Sequence, residues 1–230
     1  MILIDTIYQR VLALANKEQR GYITPQEFNL FANQAQMEIF DQYFYDINQL
    51  NRIAMRNNTE NSDPIEILRE KISIFSQSDI LTVIAGVANL PGDLYKISSI
   101  THAFQGRQYE VEEVTNKELN YMLSTPLINP TQKRPVYVAS GVSVNIQPAL
   151  AGNITCDYIR KPVSVNWAYN VINGTALYNN TNAVNFELHT SEEAALVYKI
   201  LKLAGVPLEE PGLTQVGEAL ETRTQQLKKQ

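Results

Sequence analysis

The chain has 230 residues, enough for one large domain or two small ones with a packed core. Apolar residues make up 44% and charged residues 19%, which excludes a disordered chain, and the net charge of −5 argues against a sequence-reading DNA protein, which needs a basic face. The single cysteine, Cys156, excludes an internal disulfide and a cysteine-rich zinc knuckle. The start "MILIDTIYQR" lacks a basic region and cleavage site, and no apolar run approaches the roughly 18 residues that cross a bilayer, so a soluble chain without an export signal is expected.

Ile7, Val11, Leu12, Leu14 and Ala15 recur at helical spacing and predict a helix from Asp5 to about Lys17. Gly21 is its expected stop. The stretch that follows, "NKEQRGYITPQEF", has the Gly, Ile and Glu of the back half of a calcium loop. With Glu27 as the twelfth position, however, Asn16 is the first and Arg20 the fifth, so a permanent cation stands where an oxygen donor belongs. A helix start accounts for every residue instead: Thr24 caps, Pro25 takes the first turn, and Glu27 returns to the cap's N–H. After Pro25 the helix meets no Gly or Pro until past Met55. Phe28, Phe31, Ala35 and Ile39 lie along one line of it and Phe40, Phe44 and Ile47 along another, so it is expected to bury more than one side. After the polar "NNTENSDP", Asp63 and Pro64 open a short helix to Ile72.

From Ile74 to Trp167 the pattern changes to short β-branched and aromatic runs punctuated by Gly, Pro and Asn. "VYVASGVSVNIQP" predicts a hairpin about Ser140-Gly141, and "NKELNYML" a short helix inside the β block. "NWAYNVINGTALYNNTNAVNFE" is expected as a long loop, functional or ordered by a partner. "HTSEEAALVYKILKLAG" then predicts a helix with Thr190 and Glu193 as capping box and Gly205 as stop, and "LTQVGEALETRTQQLKKQ" a last one. The fold class expected is α+β, with N- and C-terminal helices forming a bundle around an inserted β-rich block of short antiparallel strands. The divisions are residues 1–73 helical, 74–168 β-rich, 169–188 loop and 189–230 helical.

Catalytic signatures are absent from the sequence. His102 and His189 lie far apart and outside any metal-spaced motif. Cys156 alternates with Ile154 and Tyr158, so it is expected in a sheet core, with Asp157 on the opposite face. Glu112-Glu113, Glu192-Glu193 and Glu209-Glu210 read as solvated doublets. No enzyme, cofactor or metal is expected. Two basic pairs next to prolines, Lys133-Arg134 and Arg160-Lys161, are candidates for contact with DNA or an acidic partner.

The opening "IYQRVLALANKEQRGYITPQEFNLFANQAQMEIFDQYF", with "RPVYVASGVSVNIQP", "YIRKPVSVNW" and "SEEAALVYKILKLAGVPL", resembles head-to-tail connector proteins of tailed bacteriophages, of the crAss-like and marine type. The resemblance runs over nearly the whole chain through structural phrases rather than reactive residues. It implies a virion protein made in the host cytoplasm: an adaptor or ring subunit, in twelve copies, beneath the portal protein. Such a ring extends the DNA channel and docks other ring or tail proteins. An acidic lining suits a channel along which DNA slides, and the last helix is placed to reach the portal. In that role Phe28, Phe31, Phe40 and Phe44 are expected to pack within and between subunits. Two other readings compete: a tail hub, stopper or tube component, and a stand-alone binding module with a groove around Tyr158, Trp167 and Tyr169.

Overall fold

The computed structural model describes residues 1–17, 23–57 and 62–205, so Gly21, Glu209-Glu210 and the expected last helix lie outside the described residues. The protein is mixed α+β, with five α-helices among the described residues and sheets that are almost wholly antiparallel. It divides into two compact units. One comprises Met1–Ile74 with the chain from Pro162 onward, and the other is Phe75–Lys161.

The first unit is built on helices α1 (Ile4–Lys17), α2 (Pro25–Asn57), α3 (Ser62–Ser73) and α5 (Glu193–Gly205). α2 starts where the capping reading puts it. Thr24 N–H and Oγ1 both donate to Glu27 Oε2 (3.0 and 2.7 Å), and Glu27 N–H donates back to Thr24 Oγ1 (3.3 Å). Those bonds hold the Glu27 carboxyl below the usual carboxylate range. At 33 residues α2 is about 50 Å long. Its buried apolar side chains from Phe28 onward, Phe28, Ala32, Ala35, Ile39, Phe40 and Tyr43, follow one stripe of 3.6 periodicity. Phe31, Phe44 and Ile47 are half-buried on its flanks. α2 and α1 both pack against α5, and α3 against α2.

α3 begins at Ser62, so Asp63 and Pro64 sit inside its first turn. The start of α5 also differs from expectation. A single 3-10 turn, Thr190–Glu192, precedes it, and His189 rather than Thr190 is the cap, its Nδ1 accepting from Ser191 N–H at 3.2 Å. The extra turn rotates Glu192 inward, where it is buried against Lys71 (2.6 Å). Glu193 instead meets Arg10 at 2.9 Å near the surface. Glu192 is therefore not a solvated residue.

The second unit holds two four-stranded sheets. One runs in the order β1 (Ser76–Val83), β8 (Gly152–Arg160), β3 (Leu94–Phe104), β4 (Arg107–Glu110), every pair antiparallel. The other runs β2 (Val87–Asn89), β7 (Ser143–Gln147), β6 (Val136–Ser140), β5 (Glu112–Glu113), with only β5 and β6 parallel. The β6–β7 hairpin turns at Gly141-Val142, one residue later than expected, with Gly141 at φ +62°. The sheets share a core of Leu81, Ile100, Ile154 and Cys156 from one and Ala88, Tyr137, Val144 and Ile146 from the other. β6 is covered on both faces: Tyr137 points into that core, while Val136 and Val138 meet Leu119 and Met122 of α4 (Asn116–Ser124). α4 carries its own capping box from Thr115 and Glu118.

Candidate functional site

The stretch 169–188 is not the structureless loop expected. It opens with a hairpin, β9 (Tyr169–Ile172) and β10 (Thr175–Tyr178), turned at Asn173-Gly174 with φ of +52° and +78°. Two successive left-handed residues are what a tight hairpin needs, and Asn-Gly is the pair that adopts them most readily. A two-stranded ribbon is marginal in isolation, so something must brace its base.

The brace is a row of side-chain amides on α2. Asn29, Asn33 and Gln36 are spaced four and three apart and so share one helix face. They meet alternate residues of the extended segment that leads into the hairpin. Gln36 Nε2 donates to the Val163 carbonyl at 2.8 Å. Asn33 bonds both backbone groups of Val165, donating to its carbonyl (2.9 Å) and accepting from its N–H (2.8 Å). Asn29 does the same for Trp167, at 3.3 and 2.7 Å. The helix thus acts toward this segment as a neighbouring strand would. The segment's other edge is bridged by Asn166 and Val184, which exchange bonds of 3.1 and 2.9 Å, and Glu187 accepts from Val163 N–H at 2.9 Å.

Trp167 finishes the brace. Its ring is buried, packed on Tyr8 (4.3 Å), Tyr178 (5.6 Å) and Tyr169 (5.8 Å), and its Nε1–H donates to Asp5 at 2.9 Å. Tyr8 continues the cluster to Phe28 at 4.7 Å. Beyond this anchored base the ribbon is apolar and exposed. Ile172 and Leu177 share one face and Val171 lies on the other, at 54%, 49% and 65% exposure. Three aliphatic side chains on one short projection are a surface that a partner covers with gain.

Of the residues singled out in the sequence, Phe28 and Phe40 are wholly buried within the chain, so they serve its own core and cannot reach a neighbour. Phe44 is half-buried with its ring edge-on to Phe40 at 5.1 Å, and Phe31 is half-buried on the same helix. Lys133 and Arg134 are exposed on a tight turn closed by Thr131 and Arg134, just before β6. Arg160 ends β8 in the other sheet. Its guanidinium lies over the Phe75 ring (5.9 Å) and donates to the Lys161 carbonyl (3.3 Å), while Lys161 is exposed. The basic pairs thus sit on different sheets.

Tyr158 fills the core of the β-rich unit, whereas Trp167 and Tyr169 belong to the helical one. Cys156 is fully buried, and burial pushes its thiol up to about 11, away from nucleophilic use. His102 is buried on the core face of β3, with Nε2 unpartnered among the described residues. His189 is occupied as a cap. Among the described residues no group of His, Cys, Asp and Glu is arranged to hold a metal ion, and no helix is long and apolar enough to cross a membrane.

No protein-family model matches the chain, and no curated protein matches it significantly.

Proposed function

We propose that this chain is a structural virion protein, a ring-forming subunit of a phage head-to-tail connector that sits beneath the portal protein, extends the DNA channel and docks tail components. The observation that carries the reading is the β9–β10 ribbon: a stiff, braced base ending in three exposed aliphatic side chains. A cyclic ring is made by heterologous contacts, in which a projection on one subunit enters a different surface on the next. The ribbon is such a projection. The helices take the part of a bundle that carries it, and the β-rich block is the module inserted into that bundle's sequence.

Further exposed apolar residues suit contacts with other ring or tail proteins. Tyr121, on α4, and Leu127, just after it, are 67% and 92% exposed. Lys133 and Arg134 are placed for an acidic neighbour or for transient contact with DNA, while the net charge of −5 disfavours tight retention of it.

The ribbon is tested by replacing Val171, Ile172 and Leu177 together with Ser. The three side chains face solvent, so far-UV circular dichroism of the variant is expected to match the parent. Its self-association, followed by sedimentation velocity across a concentration series, is expected to weaken about tenfold or more, since about 1.4 kcal/mol of lost burial suffices. Unchanged association would remove the ribbon from the interface.

A further inference from the structure

The first sheet of the β-rich unit has two uncovered edges, β1 and β4, and they match each other. We infer that β4 of one copy pairs with β1 of the next, continuing the four-stranded sheet from subunit to subunit. The inference rests on the multi-copy reading above and names a second contact that such an assembly uses.

Strand polarity allows it. The four strands alternate in direction, so β4 runs opposite to β1, and a second copy in the same orientation offers β1 to β4 as an antiparallel neighbour. Backbone phase allows it too. Arg160 N–H donates to the Phe75 carbonyl, which fixes Gln77, Asp79 and Leu81 as the residues bonding to β8 and leaves Ser76, Ser78 and Ile80 facing outward. Val111 N–H donates to the Ile100 carbonyl, which likewise turns Arg107 and Tyr109 toward β3 and leaves Gln108 and Glu110 outward. Pairing Ser78 with Gln108 and Ser76 with Glu110 joins these outward groups in the normal ladder.

That register sets Asp79 directly opposite Arg107. Both side chains project from the same face of the sheet, because Asp79 aligns with Cys156 and Arg107 with Phe104, on the face that Ile100 and His102 also occupy. Both are exposed, and the Arg107 guanidinium has no hydrogen-bond or ion-pair partner among the described residues. Opposite charges directly across an antiparallel pair favour that register over its neighbours.

Asp79 has a task in the single subunit as well. Its Oδ1 accepts from Ile80 N–H at 2.8 Å, and Ile80 N–H is one of the outward amides. The carboxylate therefore guards the β1 edge against indiscriminate pairing, a common way of keeping an edge strand from aggregating. Meeting Arg107 draws the carboxylate off that amide and frees the edge for the one partner that supplies the guanidinium. The residues at the edge, Ser76 to Ile80, are all exposed. Just past the end of the strand, Ile84 and Val87 form an isolated bridge.

The test uses the full chain and two kinds of variant. Asp79→Cys and Arg107→Cys proteins, mixed and mildly oxidised, are expected to give a disulfide-linked dimer containing one of each, since facing residues in a non-bonded pair bring their Cβ atoms within disulfide reach. Either variant alone is expected to stay largely uncross-linked. Separately, Asp79→Arg and Arg107→Asp are each expected to weaken self-association about tenfold or more, and the doubly exchanged chain to recover it, which a folding defect does not reproduce. No mixed disulfide, a disulfide formed by Asp79→Cys with itself, or charge variants that associate like the parent overturns the edge pairing. Sensitivity to the ribbon substitutions with indifference to these leaves the connector reading standing without the edge contact. Indifference to both takes away the assembly surfaces on which that reading relies.

Discussion

Lys71 and Glu192 are the two most consequential charges in the helical unit. They form an ion pair of 2.6 Å with side chains 9% and 1% exposed, and the Lys71 ammonium also lies 5.9 Å from the Tyr43 ring. Burial and the neighbouring Glu192 charge push the Tyr43 phenol well above its ordinary value, so it stays neutral at any physiological pH. A charge left alone in that place has no water to turn to. Lys71→Met or Glu192→Gln is therefore expected to cost about 3 to 5 kcal/mol in urea unfolding, while Lys71→Met combined with Glu192→Leu recovers most of the loss. Single variants within 1 kcal/mol of the parent mean that water reaches the pair. None of this was legible in the sequence, where Glu192 reads as one half of a solvated doublet with Glu193. A one-turn 3-10 segment decides which of them faces inward, and pairing across 121 residues leaves no local trace. The Thr24–Glu27 box was legible because all its bonds lie within four residues.

At the scale of elements, period and punctuation carried most of the helices and the β6–β7 hairpin, and failed where polar residues do structural work. Asn29, Asn33 and Gln36 in "NLFANQAQ" look like the solvent side of a helix, yet Gln36 is 1% exposed and the row serves as a surrogate strand. Its signal was polar residues at helical spacing inside an apolar stripe. The hairpin after it carries its own signal in "VINGTAL", an Asn-Gly pair between short apolar runs, set within a largely polar stretch that reads as loop. Asn33→Ala removes two bonds to Val165 and leaves both of its backbone groups short of a partner. The expected cost is about 1 to 3 kcal/mol, with faster hydrogen exchange at the Val165 amide and altered Trp167 fluorescence. Parent-like exchange at that amide would show that the row does not brace the ribbon.

For the whole molecule, the chain leaves the helical unit at Ile74 and returns to it at Pro162, so the β-rich block is an insertion with a core of its own. The sequence divided the chain near the first of these points. It carried the β-rich part on to residue 168, since 162–167 is extended and β-branched like the strands before it. Side-chain amides from α2 hold that stretch in the helical unit, and no local pattern distinguishes them from a sheet partner. In the proposed ring, the apolar ribbon and the β1 and β4 edges would supply the contacts with neighbours on both sides. The most direct test is negative-stain microscopy of this chain mixed with the portal protein encoded in the same genome. A ring-forming connector subunit gives added density in a closed ring beneath the portal, in register with its symmetry. A bare portal beside a monomeric chain would contradict the connector reading.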